Sequence, residues 1–236
     1  MAEVGIGTAV LAYIEPHEGR ALAFNRWYER DHMYAAATAG PGCFAGARWV
    51  ATRACKAVRP AGATWWGDPT RGSFLTTLWI LPGTQAEWDG WIAAQMGRLA
   101  DEGDRMFAGR DHLHTAAFRF VSESRSAEGS AAATALDHPF AGLIAIATEP
   151  GSGSAWADAV VVGGDVPVAA VFARDRVIMA DADAPEHELV LAFTEGDPLA
   201  AWNTRVAPEL ASMPAVGFAS PFLRTIPGTD RYVDEL

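Results

Sequence analysis

The hydrophobic positions in the first half of the chain fall into blocks of two kinds. Some are short runs rich in branched and aromatic residues, which are typical of strands, and others repeat apolar residues at the spacing of a helix. The blocks predict strands at 4–16, 43–52, 73–81 and 112–121, and helices at 18–38 and 84–107. Their order is β-α-β-β-α-β, which is the order of a ferredoxin-like unit.

The same order repeats after residues 122–139, a Ser/Ala-rich stretch without apolar periodicity that we interpret as a linker. The second set predicts strands at 141–150, 167–180, 187–196 and 217–225, and helices at 154–162 and 197–213. Both first strands end in Glu-Pro, at Pro16 and Pro150, and Trp202 stands in the second set where Trp88 stands in the first. These matches favour an internal duplication over two unrelated α+β domains.

The duplication divides the chain into a first half at 1–121, the linker and a second half at 140–236. The second half is shorter, because its first helix is reduced and it has no counterpart of residues 54–72. Residues 151–165, which replace that first helix, contain no His or Tyr. We therefore expect any chemistry to lie in the first half, with the second half as a scaffold.

The charge balance argues against several classes of partner. The chain has 236 residues and a net charge of −11, and Lys56 is its only lysine. Without a basic run, such a surface argues against nucleic acid or an anionic membrane as partner. The N-terminus resembles no signal peptide, and no apolar run approaches the ~20 residues of a membrane span. Cys43 and Cys55 flank one strand and are too far apart to bridge, so we expect no disulfide and a cytoplasmic location.

The segment "FNRWYERDHMYAAATAGPG", residues 24–42, concentrates groups that can transfer protons. Asn25, Tyr28 and His32 have the spacing of one helix face. His titrates near neutral pH and Tyr can donate to a developing oxyanion, so this face could relay a proton. The same segment adds two carboxylates that could orient the imidazole and two aromatic rings, namely Glu29, Asp31, Trp27 and Tyr34. The alternative is an amphipathic helix whose aromatic residues only pack on the sheet.

Two histidines alternate at the start of the strand at 112–121. Because residues two apart on a strand share a face, His112 and His114 are expected on the same side, with Phe118 continuing an apolar wall. His-x-His is a spacing that metal ligands use, but no third ligand is identifiable, so we expect no metal. The two rings would then line a cavity mouth or lie near solvent.

Three further side chains are candidates for ligand contact. Arg48 lies in an apolar strand, where its charge must be paired with a carboxylate or meet an anionic ligand. Trp65 and Trp66 stand in the insertion 54–72, either as a lid over an apolar ligand or as a cap on the end of the sheet. The sequence has no dinucleotide fingerprint, P-loop, nucleophile elbow or zinc spacing, so no such cofactor is expected.

The repeated element order and the motif "FNRWYERDHM…PG" resemble the dimeric α+β barrel superfamily, whose EthD-like members carry a Trp-Tyr…His helix followed by Pro-Gly. The resemblance implies two ferredoxin-like units packed sheet to sheet around a barrel-like cavity, here within one chain. The superfamily includes cofactor-free oxygenases, lactone isomerases, polyketide cyclases and haem enzymes. A ferredoxin-like unit is a widely used fold, so the resemblance points to the fold more than to one activity.

These observations predict a cofactor-independent enzyme that performs enolisation-type chemistry, as a lyase, isomerase, cyclase or monooxygenase, on a small apolar or aromatic carbonyl compound. His32 would be the base or acid, Tyr28 the oxyanion or hydroxyl partner and Glu29 or Asp31 the orienting carboxylate, in a cavity between the two halves. A haem enzyme of the same superfamily and a binding protein without turnover are the alternatives. A homodimer stays open.

Overall fold

Eight strands form one closed antiparallel barrel in the computed structural model, which describes residues 4–62, 64–103, 105–161, 164–180, 184–215 and 217–236. The strands are β1 (Thr8–Pro16), β2 (Cys43–Val50), β3 (Phe74–Ile80), β4 (Arg110–Arg125), β5 (Gly142–Thr148), β6 (Val168–Ala180), β7 (Glu188–Thr194) and β8 (Ala219–Arg224). The helices are α1 (Ala21–Trp27), α2 (Arg53–Ala57), α3 (Gln85–Asp101), α4 (Gly153–Val160) and α5 (Pro198–Ala201). π-Helical turns extend α1 at Tyr28–His32 and Tyr34–Thr38, and extend α5 at Trp202–Val206. The predicted order is confirmed, with α2 as an addition inside the insertion.

The strand order around the barrel is β1-β3-β2-β8-β5-β7-β6-β4. Divided at the two seams between the halves, it reads β4-β1-β3-β2 in the first half and β8-β5-β7-β6 in the second, which is the same ferredoxin-like order. The halves meet where β4 pairs with β6 and where β2 pairs with β8. The protein therefore has the predicted α+β fold, with two tandem ferredoxin-like units closed into a barrel within one chain.

The two seams differ in length. The β4–β6 seam runs from the pair His114–Ala180 to the pair Arg125–Val168, whereas β2 and β8 pair only at their ends. Because β4 must follow β6 along this seam, it continues four residues into the segment expected to be a linker, as far as Arg125. Later in that segment Leu136 is buried in the core, so part of the connection also contributes to packing.

Large side chains fill the inside of the barrel. The largest fully buried ones there are Tyr13, Trp49, Trp79, Phe118, Phe172, Phe193, Phe218 and Phe140. Trp79 and Phe172 lie with ring centroids 5.3 Å apart, and Trp49 and Phe193 lie 5.9 Å apart, so rings from the two halves interdigitate. The prediction of a ligand cavity between the two halves is therefore wrong for the described residues, because inward-facing aromatic rings occupy that space.

Helices cover the outer face of each half-sheet. In the first half, α1 with its π-helical extension packs beside α3 on β1, β3 and β4, and in the second half α4 and α5 do the same on their own sheet. Trp156 and Trp202 fill the helix–sheet layer of the second half. Among the described residues, no helix combines the length and the apolar character needed to cross a membrane.

The insertion between β2 and β3 holds α2 and a loop that Arg59 fixes to the barrel. The buried guanidinium of Arg59 donates to the carbonyl oxygen of Gly72 at 3.0 Å and to Ser220 Oγ on β8 at 2.9 Å. This attachment places Trp65 and Trp66 against one end of the barrel, where both pack on the apolar interior.

Candidate functional site

A cavity of about 380 Å³ lies between the outer face of the first half-sheet and its helices, and we call it the helix–sheet cavity. β1, β3 and β4 form its floor, α3 and the π-helical segment form its roof, and the end of β6 borders it from the second half. Its wall is largely apolar, with polar groups at Tyr28, His32, Thr76, His112, Thr115, Asp89 and Arg176. The volume falls within the range of about 300–1,000 Å³ that is usual for small-molecule sites.

The π-helical turn Tyr28–His32 places two of the predicted catalytic side chains in the cavity wall. π-Helical turns are rare and often occur at functional sites. Thr76 Oγ1 on β3 donates a hydrogen bond of 3.0 Å to the phenol oxygen of Tyr28. Burial raises the pKa of the Tyr28 phenol above its ordinary value. Tyr28 is therefore protonated at neutral pH, and its own O–H is free to donate.

His32 is held by stacking and not by a carboxylate. Its ring stacks on Trp27 with centroids 4.3 Å apart and meets the ring of Tyr28 edge-on at 5.0 Å. Its buried Nδ1 has no hydrogen-bond partner among the described residues. Burial, assisted by the charge of Arg110, lowers the pKa of His32 to about 3. The imidazole is thus neutral at pH 7, and the expected titration near neutrality is corrected to an acidic value.

His112 also borders the cavity, but both of its nitrogens have partners. Arg110 Nε donates to His112 Nε2 at 3.2 Å, which makes Nδ1 the protonated nitrogen, 3.3 Å from Thr115 Oγ1. Burial lowers the pKa of His112 to about 4. Because its lone pair is engaged by Arg110, His112 is less suited than His32 to accept a proton from a ligand.

Arg110 is a component of the site that the sequence reasoning missed. Its guanidinium lies 4.7 Å from the ring centroid of Trp27, the ring on which His32 stacks. Its charge acts on His32, His112 and Tyr28. The only available signal was its position at the start of the strand that carries His112, and arginine at a strand end is usually a solvated residue.

Glu29 and Asp31 do not contact the cavity, which corrects their predicted role as orienting groups. Glu29 is buried and accepts the backbone N–H of Gly228 at 2.8 Å. Asp31 is paired with Arg105, on the chain that follows α3. Both carboxylates point away from the imidazole, because the helix places them on the faces adjacent to the one that carries Tyr28 and His32.

Asn25 and Arg48 lie behind the cavity wall and not in it. Arg48 Nη1 donates to Asn25 Oδ1 at 3.0 Å and lies 3.8 Å from a carboxylate oxygen of Glu29. The guanidinium carbon of Arg48 is 4.3 Å from the ring centroid of Tyr28. The sequence left open whether Arg48 pairs with a carboxylate or meets an anionic ligand, and the structure shows the carboxylate pair with Glu29. The positive charge of Arg48 lies directly behind the Tyr28 ring.

A β-bulge separates His112 from His114. Ile14 of β1 pairs with His112 and Tyr13 pairs with His114, so Leu113 is an extra residue in β4. The extra residue reverses the alternation, and the expectation that both histidines face one side is wrong. His112 faces the helix–sheet cavity, whereas His114 faces the barrel interior together with Phe118.

The remaining predicted ligand contacts are also outside the cavity. Trp65 and Trp66 pack at the barrel end, with Trp65 centred 5.0 Å from the ring of His114, so they cap that end and do not cover His32. Tyr34 is 57% exposed and points to solvent. Trp27 stacks behind His32, and its indole N–H donates a hydrogen bond of 3.0 Å to the carbonyl oxygen of Arg105.

A wider cleft of about 1560 Å³ runs along the surface beside α2 and the C-terminal segment. Several of its charged groups are engaged within the protein, for example Arg71 with Asp111 and Arg53 with the carbonyl oxygen of Asp234. The smaller helix–sheet cavity, which is apolar and carries neutral proton-transfer groups, is therefore the candidate site.

No protein-family model matches the sequence, and no curated protein matches it significantly. Solved structures do match over nearly the whole chain. An anthrone oxidase-like protein has a TM-score of 0.56 and 8% identity, covering 94% of this chain and 92% of that chain. A proposed chlorite dismutase has a TM-score of 0.53 and 12% identity, covering both chains completely.

A proposed monooxygenase from Fusobacterium nucleatum subsp. nucleatum ATCC 25586 matches with a TM-score of 0.50 and 8% identity over 93% of each chain. At these identities the similarities define the fold and not the activity. With the strand order described above, they show that this protein has the dimeric α+β barrel fold, with both halves in one chain, as the sequence predicted.

Proposed function

We propose that this protein is an enzyme that removes a proton from a small apolar or aromatic carbonyl compound in the helix–sheet cavity, without a cofactor. One observation carries the proposal. The neutral imidazole of His32 and the protonated phenol of Tyr28 lie side by side, with ring centroids 5.0 Å apart, in the wall of an apolar cavity. A neutral base beside a hydrogen-bond donor is what enolisation requires.

In this mechanism His32 takes the proton from the carbon next to the carbonyl group. Tyr28 donates its O–H to the carbonyl oxygen, where negative charge develops, while Thr76 holds the phenol oxygen. Arg48 behind the Tyr28 ring adds positive potential that stabilises the anion. The anion in turn raises the pKa of the imidazolium beside it, so a base that is weak in the free protein becomes stronger in the complex.

The fate of the anion defines the reaction class. Protonation at another carbon gives isomerisation, loss of a leaving group gives lyase cleavage, and attack on an internal carbonyl gives cyclisation. Reaction with O₂ converts a CH₂ group into C=O and releases water. The fold is similar to those of an anthrone oxidase-like protein and a proposed monooxygenase, which supports the reaction with O₂ as the first to test.

The haem alternative does not fit the lining of the helix–sheet cavity. Neutral imidazoles such as those of His32 and His112 are suitable axial ligands. The cavity of about 380 Å³, however, lies near the lower limit for small-molecule sites. Arg176, the one cation in its described lining, is already paired with Asp89 and is not free for a propionate. We therefore derive no step through haem.

The proposal is tested with anthrone and 2-tetralone as probes. Exchange of their CH₂ protons in D₂O is followed by NMR without oxygen, and oxygen uptake is followed in air. His32→Gln should slow exchange by about 10²–10⁴-fold, the usual contribution of a general base. Tyr28→Phe should act in the same direction, because it removes only the hydroxyl. The half-exposed His138, paired with Glu195, supplies the control His138→Gln, which should keep full activity.

The alternatives give different results in the same assays. If the protein binds the probes tightly but never exchanges their protons, it is a binding protein. If added haem gives a Soret band and His32→Ala abolishes it, the haem alternative is correct. Exchange at the wild-type rate in His32→Gln would contradict the assignment of the base.

A further inference from the structure

The C-terminal segment, residues 226–236, follows the last strand of the second half and packs on α1 of the first half. We call it the C-terminal tail. It begins directly after Thr225, whose backbone N–H and hydroxyl both donate to the carbonyl oxygen of Arg48 at 3.1 Å. Farther along, Tyr232 and Leu236 pack against the apolar cluster between α1 and its sheet. The tail therefore connects the second half to the helix that carries the proposed catalytic groups.

Asp230 is the tail residue whose side chain binds α1. Its Oδ2 accepts hydrogen bonds from Nε of Arg26 at 2.9 Å and from Nη2 at 2.6 Å, and its Oδ1 accepts from Nδ2 of Asn25 at 3.3 Å. The backbone of Asp230 has φ +53°, a left-handed conformation in which Asp and Asn are enriched among residues with a side chain. The carboxylate is therefore brought to α1 by a local backbone conformation that suits Asp.

The amide of Asn25 lies between a group that only accepts hydrogen bonds and a group that only donates them. Its Nδ2 faces the carboxylate of Asp230, and its Oδ1 accepts Nη1 of Arg48 at 3.0 Å. A carboxylate only accepts and a guanidinium only donates, so a single orientation of the amide satisfies both. The opposite orientation would place the NH₂ group against the guanidinium. Asp230 therefore fixes the amide oxygen of Asn25 towards Arg48.

A second contact of the tail acts on Arg48 in the same way. The backbone N–H of Gly228 donates to Oε2 of Glu29 at 2.8 Å, and the other carboxylate oxygen of Glu29 lies 3.8 Å from Nη1 of Arg48. The amide and the carboxylate beside Nη1 are thus both anchored by the tail. On its other side the guanidinium carbon lies 4.3 Å from the ring centroid of Tyr28 and 5.0 Å from that of Phe74. The tail and these rings together determine where the charge lies.

We propose that Asp230 is a positioning residue for the proposed reaction, which holds the charge of Arg48 behind Tyr28 through the amide of Asn25. This role rests on the proposed function, since the charge is needed for the anion that forms beside Tyr28. Arg48 acts on that anion through its electrostatic potential, which weakens with distance. A displaced guanidinium therefore stabilises the transition state less. Through Asp230 the second half contributes to the chemistry of the first.

NMR of ¹⁵N-labelled protein reports the position of the guanidinium independently of activity. The Nε–H resonance of Arg48, assigned with Arg48→Met, should be shifted by ring currents, because the guanidinium lies over aromatic faces. Asp230→Gly removes the carboxylate and suits the left-handed backbone, and the resonance should then move towards the values of exposed arginines. Asp230→Asn still offers an oxygen to Asn25, so it should keep the wild-type resonance.

The exchange assay with anthrone measures the effect on the reaction. In Asp230→Gly, kcat should fall by about 10-fold, less than the ~10²–10³-fold cost of removing a direct oxyanion donor, because Arg48 is displaced and not removed. KM should stay unchanged, because Arg48 lies behind the cavity wall and does not contact the probe. Asp230→Asn should keep the wild-type kcat. The matched control is Asp234→Gly, which removes an exposed carboxylate from the same tail and should change neither kcat nor the Arg48 resonance.

Asn25→Ala breaks the same connection at its other end, so the test does not depend on one variant. It should give the same shift of the Arg48 resonance and a similar fall in kcat. An unchanged resonance in both variants would overturn the proposal, and so would a displaced resonance with an unchanged kcat. Absence of proton exchange in the wild-type protein would overturn the proposed function and with it the role of Asp230. The two failures are distinguishable, because the second is seen without any variant.

Discussion

Protonation of the buried His114 should make the protein less stable below pH 6.5. Burial lowers the pKa of His114 to about 4 in the folded protein, whereas its ordinary value of 6.5 applies to the unfolded chain. Below pH 6.5 the unfolded chain binds a proton that the folded protein does not bind. The stability that His114 contributes is therefore complete above pH 6.5 and is lost as the pH falls towards 4.

The magnitude follows from the size of the pKa shift. Each pH unit over which only the unfolded chain is protonated costs about 1.4 kcal/mol. Between pH 6.5 and pH 5 this gives about 2 kcal/mol for His114 alone, a large part of the 5–15 kcal/mol that is typical of whole proteins. His32 and His112 have pKa values lowered in the same direction, so the complete protein should lose more than this.

Urea unfolding at pH 7.5 and pH 5, followed by tryptophan fluorescence, isolates the contribution of His114. In His114→Leu the loss of free energy between the two pH values should be smaller than in the wild type by about 2 kcal/mol, because only the titrating group is removed. The contributions of His32 and His112 cancel in this difference. His138→Gln, at a half-exposed position, should follow the wild type. Equal pH dependence in His114→Leu and the wild type would refute the reasoning.

Three further predictions concern other residues. The kcat/KM of the proposed reaction should stay level from pH 8 to pH 5 and fall only near pH 4 or below. The reason is that His32 must be neutral to act as the base, and its pKa is lowered to about 3. A fall of kcat/KM centred at pH 6.5 would contradict this prediction. Arg48→Met leaves the buried Glu29 without its cation and should cost about 3–5 kcal/mol in urea unfolding, most of it restored by adding Glu29→Gln. Gly217→Ala should lower Tm and shift tryptophan emission to the red. The position has φ +73°, and a Cβ there would collide with the indole nitrogen of Trp65. An unchanged spectrum would contradict this contact.

The element order could be predicted because each element carries its own periodicity. The strands β1, β3, β5 and β7 are largely apolar, and they are fully or almost fully buried between the barrel interior and the helices. The strand order then followed from the ferredoxin-like pattern. The length of the β4–β6 seam was not predictable, because Ser122–Arg125 is a polar sequence that forms a strand only through pairing with β6.

The candidate site was predicted only in part. Tyr28 and His32 were identified because their spacing defines one helix face, and they do share the cavity wall. The roles of Glu29 and Asp31 could not be predicted from their positions beside His32 in the sequence, because each binds a partner that is distant in sequence. Glu29 accepts a hydrogen bond from Gly228, and Asp31 pairs with Arg105.

The bulge in β4 was not predictable either. A single extra residue, Leu113, moves His114 to the other face of the sheet, and no residue type in "HLHT" indicates a bulge. Arg110 was overlooked for a related reason, because its importance comes from the stacked rings of Trp27 and His32 and not from its neighbours in sequence.

The closure of both halves within one chain has a genetic consequence. In a barrel made from two copies of one polypeptide, every codon change alters both halves at once, so any gain at one site is imposed on the other. Here the halves are encoded separately. Trp156 and Trp202 could thus fill one helix–sheet layer while the other kept an open cavity beside His32. One gene segment is free to evolve for packing and the other for the shape and lining of the cavity.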